Sequence, residues 1–158
     1  MSEGEGRELL RVARAEPARA EAMYARAIEV REALYRVFVA IARGGTPTRG
    51  DLEVIEGAYR EALGRARLVA GEGGYVWEWA GEAGALDRPL WPIVRSAVEL
   101  LMSAEVGRVK ECGNQGCGWL FLDTSKNGSR RWCSMEGCGS RVKMRRYYAR
   151  RRDVSRES

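Results

Sequence analysis

Four residues with clear chemical potential stand out: Cys112, Cys117, Cys133 and Cys138 are the only cysteines of the 158-residue chain, and they form two matched pairs. Four residues separate the members of each pair, and fifteen separate the pairs. Zn2+ takes four ligands in a tetrahedron and favours thiolate sulfur, so two cysteines on one short turn can grip an ion together. CGNQGC contains two glycines and an asparagine, and CSMEGC has Gly137 just before its second cysteine. Both segments can therefore turn tightly enough for their sulfurs to converge. The spacing predicts one Zn2+ per chain, held by all four sulfurs. A site closed by four thiolates leaves no position for water, so the ion is structural rather than catalytic. The competing readings are two disulfides or unrelated reduced thiols.

The segment that follows has the chemistry of a polyanion ligand. After Cys138 the chain reads GSRVKMRRYYARRR, a helical stretch carrying Arg141, Lys143, Arg145, Arg146, Arg150, Arg151 and Arg152, with Tyr147 and Tyr148 among them. Arg130 and Arg131 add charge just before the second cysteine pair. Arginine forks bind phosphate oxygens and the guanine edge, and an arginine-rich helix fits a major groove. The alternative is a solvated basic tail, or one that docks on an acidic protein surface. Charge is segregated: residues 1–107 hold 14 Lys/Arg and 17 Asp/Glu, residues 108–158 hold 13 and 5, within a chain of net charge +5. Only the C-terminal part calls for a polyanion partner.

The elements that position these residues follow from periodicity. Between the cysteine pairs, WLFLD (119–123) reads as a strand, TSKNGS as a turn through Asn127-Gly128, and SRRWC (129–133) as the return strand. The order knuckle, hairpin, helix predicts a treble-clef-like finger over 108–158, too small to fold without its metal. Residues 1–107 read as a mainly helical body with one β-hairpin. Helices are expected over 4–15, 17–43, 48–66 and 87–102, with a further short helix leading to Cys112. Met23, Ala27, Val30, Leu34, Val37 and Ile41 make one apolar stripe along the second helix. The stripe is read as core, with a dimer seam as the alternative. Near 67–80, RLVA, GEGG and YVWEWA predict a hairpin whose alternation puts Tyr75, Trp77 and Trp79 on one face. That face either lines a ligand pocket or covers the helices as core, and the second reading is favoured.

Composition narrows the function classes. No apolar run approaches the ~20 residues of a membrane span, and MSEGEGRELL lacks a signal-peptide pattern. A cytoplasmic protein with reduced thiols is expected, which favours metal over disulfides. The chain has no histidine, no Gly-rich phosphate loop and no nucleophile motif, so an enzyme is not expected. Glu78 and Glu82, near the aromatic face, are an acidic pair that nothing singles out.

The stretch ECGNQGCGWLFLDTSKNGSRRWCSMEGCGSRVKMRRYYARRR resembles the CGNR-type zinc finger of bacterial, mostly actinobacterial, regulators. The upstream GYVWEWA and LDRPLWPIVRSAVELL are similar to the ABATE domain that precedes this finger. The resemblance implies a stress-induced transcriptional regulator, with zinc on Cys112, Cys117, Cys133 and Cys138 and DNA on the basic residues. Two departures stand out. The naming motif reads Cys138-Gly139-Ser140-Arg141, with Ser where the family has Asn, and Ser140 is expected to cap the helix in its place. The ABATE part is also expected to lack the extra N-terminal segment usual in the family.

The reading is a zinc-dependent DNA-binding regulator whose N-terminal domain senses a signal or dimerises. Expected nucleic-acid contacts are Arg130, Arg131, Ser140, Arg141, Lys143, Arg145, Arg146 and Arg150. The alternatives are an RNA- or ribosome-associated zinc protein, or a protein-interaction module with structural zinc. A homodimer is compatible with the long helix, and no membrane partner is expected.

Overall fold

The computed structural model describes residues 2–81 and 84–154. It divides into two units, Met1–Val37 with Pro47–Ser103, and Phe38–Thr46 with Ala104–Ser158. Glu82 lies outside the described residues, as does the side chain of Arg152. Among the described residues no helix is long and apolar enough to cross a membrane.

The first unit is built on helices. α1 (Glu3–Ala15) starts in a capping box, in which Ser2 Oγ accepts from the Glu5 N–H and Glu5 accepts from the Ser2 N–H. α2 (Pro17–Ala42) begins with proline, where the missing N–H has no helical partner to lose. Its predicted stripe is core at Val30 and Val37, with Ala33 completing the buried face. α3 (Arg49–Leu63) is capped by Thr48, whose Oγ1 accepts from the Asp51 N–H at 3.2 Å. Asp51 also takes two bonds from the Arg36 guanidinium, at 2.8 and 2.6 Å. The aspartate that replaces the usual capping-box glutamate therefore ties α3 to α2. α4 (Leu90–Met102) buries Trp91 and Val94, and it starts three residues later than the periodicity predicts because Asp87–Pro89 form turns. Val30, Ala58 and Val94 meet at the centre, with Leu34, Val54 and Tyr59 packed around them. Burying a valine side chain in such a cluster contributes roughly 2 kcal/mol.

β1 (Ala66–Gly71) and β2 (Gly74–Trp79) form the expected antiparallel hairpin, with Leu68 opposite Trp77 and Ala70 opposite Tyr75. Gly73 supplies the positive φ, +85°, that so tight a loop needs. The aromatic face is not core. Tyr75 is 73% and Trp77 51% exposed, and only Trp79 at the hairpin root is partly covered, 5.9 Å from the Trp91 ring. The exposure of Tyr75 and Trp77 shows that nothing described packs on the outer half of this face.

In the second unit a 3-10 turn (Ala104–Arg108) leads into β3 (Val109–Glu111), which pairs antiparallel with β4 (Leu120–Leu122). This corrects the expected hairpin. The partner of 120–122 is the chain before the first cysteine pair, so the β3–β4 hairpin encloses that pair. Residues 129–133 form no strand. They are tied instead by side chains, through Asp123. This fully buried carboxylate accepts from Lys110 Nζ at 2.6 Å, from Ser125 N–H and Oγ, and from Arg130 N–H. Lys110 and the Ser125 hydroxyl hold its carboxyl well below the usual carboxylate range. Arg43, near the end of α2, grips Glu111 through two bonds of 2.9 and 3.0 Å. α5 (Ser140–Val154) closes the unit, preceded by a π turn over Met135–Gly139.

Candidate metal centre and nucleic-acid interface

The first cysteine pair sits at the closed end of the β3–β4 hairpin. The Cys112 N–H donates to the Trp119 carbonyl at 2.8 Å, and the Cys117 N–H to the Asn114 carbonyl at 3.0 Å. Gly116 and Gly118, with φ of +77° and +66°, make the reversal around Cys117. The second pair is delivered by the loop from Asp123 and by the start of the helical run. Ser134 caps that start, its Oγ accepting from the Gly137 N–H at 3.1 Å. The Gly113 N–H donates to the Arg131 carbonyl at 2.9 Å and so joins the two cysteine segments.

These elements bring all four sulfurs within 4.8 Å of one another. Cys117 and Cys133 are 3.7 Å apart, Cys133 and Cys138 3.7 Å, and Cys138 and Cys117 3.5 Å. Four sulfurs at the usual Zn–S length of ~2.3 Å from one ion form a tetrahedron with edges of about 3.8 Å. The observed spacing fits that figure and is far from the ~2.05 Å of a disulfide; all four thiols are free. The surroundings also suit a thiolate cluster, because N–H groups point at three of the sulfurs, the Trp119 N–H at Cys117 among them. The Cys133 N–H meets Cys112 Sγ at 3.5 Å, and the buried Asn114 donates its amide to Cys138 Sγ at 3.3 Å.

The thiols do not share one proton affinity. Burial pushes Cys112 up, but the backbone N–H groups of Cys133 and Asn114 outweigh it and bring the thiol down to about 7. Burial and the three neighbouring thiols push Cys133 up to about 12. At Cys117 the Trp119 N–H pulls downward, yet burial and Cys138 win and the thiol is raised. At neutral pH Cys117 and Cys133 hold their protons, and a metal must displace both. Zinc affinity should therefore rise with pH across the neutral range, with log K climbing by about two or more per pH unit. Competition with a chromophoric chelator at several pH values measures the slope, and a flat profile would contradict the ligand assignment.

Asn114 is the residue that the pattern alone did not single out. Within CGNQGC it reads as a turn former. In the structure it links two parts of the site, donating to Cys138 Sγ and accepting from the Arg145 guanidinium. Partners that orient metal ligands are typically worth 10–100-fold in affinity. Asn114→Ala should lower zinc affinity by roughly 10–100-fold while the four sulfurs stay in place. Zinc titration of that variant checks it, and an unchanged affinity would show that the asparagine is only a turn residue.

The predicted nucleic-acid residues are sorted by what already holds them. Arg130 is engaged inside the finger. Its Nε donates to the Trp132 carbonyl at 2.9 Å, a second nitrogen reaches the Cys133 carbonyl, and the guanidinium lies 4.8 Å from the Phe121 ring centre. Arg131 is exposed and lies 5.8 Å from the Trp132 ring centre. Arg145 is tied to Asn114. Lys143, Arg146 and Arg150 recur at helical spacing along one side of α5, where with Trp132 and Met135 they line a groove. Arg141 lies on another side with Met144, Tyr148 and the exposed Trp119. Ser140 is not the cap. Its Oγ donates to the Met135 carbonyl at 3.2 Å, inside a helical run already capped by Ser134. The run begins earlier than expected because Ser134 caps the five-residue π turn Met135–Gly139 that leads directly into α5.

A family model described as "CGNR zinc finger" matches residues 108–151. A second, described as "Putative stress-induced transcription regulator" and called ABATE, matches residues 5–104. No curated protein matches the chain.

Proposed function

The chain belongs to the ABATE family and continues into a CGNR zinc finger, and from that premise we propose that it is a zinc-dependent DNA-binding protein acting as a transcriptional regulator. The observation that carries the reading is the placement of the cysteines at the root of α5. Four sulfurs at tetrahedral spacing fix the start of a helix whose Lys143, Arg146 and Arg150 have no ion pair among the described residues. One structural Zn2+ per chain would sit on Cys112, Cys117, Cys133 and Cys138, and its role is to hold the helix in one orientation. The helix then offers a row of cations to phosphates, with Arg141 on a neighbouring side as the candidate for base edges. Arg130 and Arg145 act from within the finger, as supports. The reading assigns no catalysis and places the protein in the cytoplasm with its DNA. The helical ABATE unit would sense a signal or pair two copies.

One feature favours RNA as a second reading. Trp119 is 70% and Tyr148 57% exposed beside Arg141, and exposed aromatics among arginines stack on unpaired bases. Selection from a random duplex DNA pool, with structured RNA as competitor, separates the two. Enrichment of a duplex sequence supports the DNA reading. Recovery of RNA alone, or of nothing at low salt, would refute it.

A further inference from the structure

In the first unit a cavity of about 380 Å3 opens between α2, α3 and the start of α4, large enough for a small organic ligand. Its wall is apolar where Met23, Ala58, Leu86, Leu90 and Trp91 meet. Trp91 is only 2% exposed, and its indole N–H is held by Asp87 Oδ2 at 3.0 Å. The ring, with Trp79 and Arg88 also against it, is therefore a fixed floor beneath the wall rather than an open face.

The charged groups at the cavity are unequally engaged. Arg19 is paired with Glu16, and Arg26 with Glu29 at 2.8 Å and Glu61 at 3.8 Å. Asp87 is occupied by the Trp91 indole. Arg65, in the turn between α3 and β1, has no carboxylate partner among the described residues. Its guanidinium lies 6.0 Å from the centre of the Trp91 ring, at the edge of the cation–π range. An apolar wall beside one unpaired guanidinium is complementary to a small amphipathic anion.

We propose that this cavity binds a small aromatic or aliphatic monocarboxylate, its apolar body against Met23, Leu86 and Leu90, above the buried Trp91, and its carboxylate on Arg65. This rests on the reading of the ABATE unit as the sensing part of a regulator, and it names the chemical class of the signal. A guanidinium forms paired hydrogen bonds with a carboxylate, which a neutral group cannot match. The aromatic ring is fixed before the ligand arrives, so little ordering opposes binding.

The test uses the full-length zinc-loaded protein and 2-naphthoate as probe, at constant ionic strength. The readout is the Trp91 indole N–H signal in a 15N–1H spectrum, assigned by its loss in Trp91→Phe. The expected result is a saturable shift of that signal. Arg65→Gln should weaken binding about tenfold or more, the loss of one charge-assisted pair, and Arg65→Lys should recover part of it. The neutral 2-naphthalenemethanol should bind at least several-fold more weakly than the acid. No saturable shift, an affinity indifferent to Arg65, or equal binding of the alcohol would overturn the proposal. Because the signal is read without nucleic acid, failure here leaves the DNA reading standing, and failure of DNA binding leaves this result unaffected.

Discussion

Cys133→Ser should reduce bound zinc from one equivalent per chain to near zero and unfold the finger while leaving the ABATE unit helical. The argument is energetic. β3 and β4 are three residues each, and the described burial in this unit rests on Val109, Asn114, Asp123, Cys112 and Cys138. So small a core cannot offset the conformational entropy of ordering the loop around it. A structural zinc contributes roughly 10–16 kcal/mol in comparable sites, which is enough to decide folding. Val30, Ala58 and Val94, by contrast, pack without help from any sulfur. Metal analysis together with amide exchange measures both halves of the result. Protection should vanish over 109–139 and persist in α2–α4. A zinc-free variant with full protection across the finger would contradict it.

Neutralising Lys143, Arg146 and Arg150 together should cost far more duplex affinity than neutralising Arg145. Each phosphate contact contributes about 0.9 to the slope of log K against log salt. Three lost contacts should flatten the slope by about 2–3. Near 0.1 M salt this amounts to a loss of roughly a hundredfold or more. Arg145→Gln breaks a bond to Asn114 instead, so its effect should appear in zinc affinity and finger stability, with the salt slope little changed. Arg141→Gln is expected to alter sequence preference. Equal flattening by Arg145→Gln and by the triple variant would show that α5 binds through diffuse charge without the division of roles drawn here.

Those variants separate arginines that local sequence cannot tell apart. The cysteine pairs were legible because metal geometry restricts ligand type and spacing together. The helices were legible from their apolar periods, and the hairpin at 66–79 from its glycine turn. Roles that depend on a distant partner were not. Arg130, Arg145 and Arg146 look alike in sequence. Only the fold places Arg130 on the carbonyls of Trp132 and Cys133 and Arg145 on Asn114. Asn127-Gly128 suggested a hairpin with 129–133, but Asp123 draws that segment in through the Arg130 N–H and leaves no ladder to form. Alternation favours Tyr75 and Trp77 as core because large aromatics usually are. Their exposure shows that no described element packs on that part of the face, a tertiary fact absent from local pattern.

The central claim is that metal at the cysteine cluster orients a DNA-binding helix. The most direct test is to measure duplex binding of the full chain before zinc is removed, after its removal by a strong chelator, and after one equivalent is restored. Binding should be lost with the metal and return with Zn2+, and Mg2+ should not restore it, because hard cations do not favour thiolate sulfur. Undiminished, equally selective binding by the metal-free protein would contradict the account.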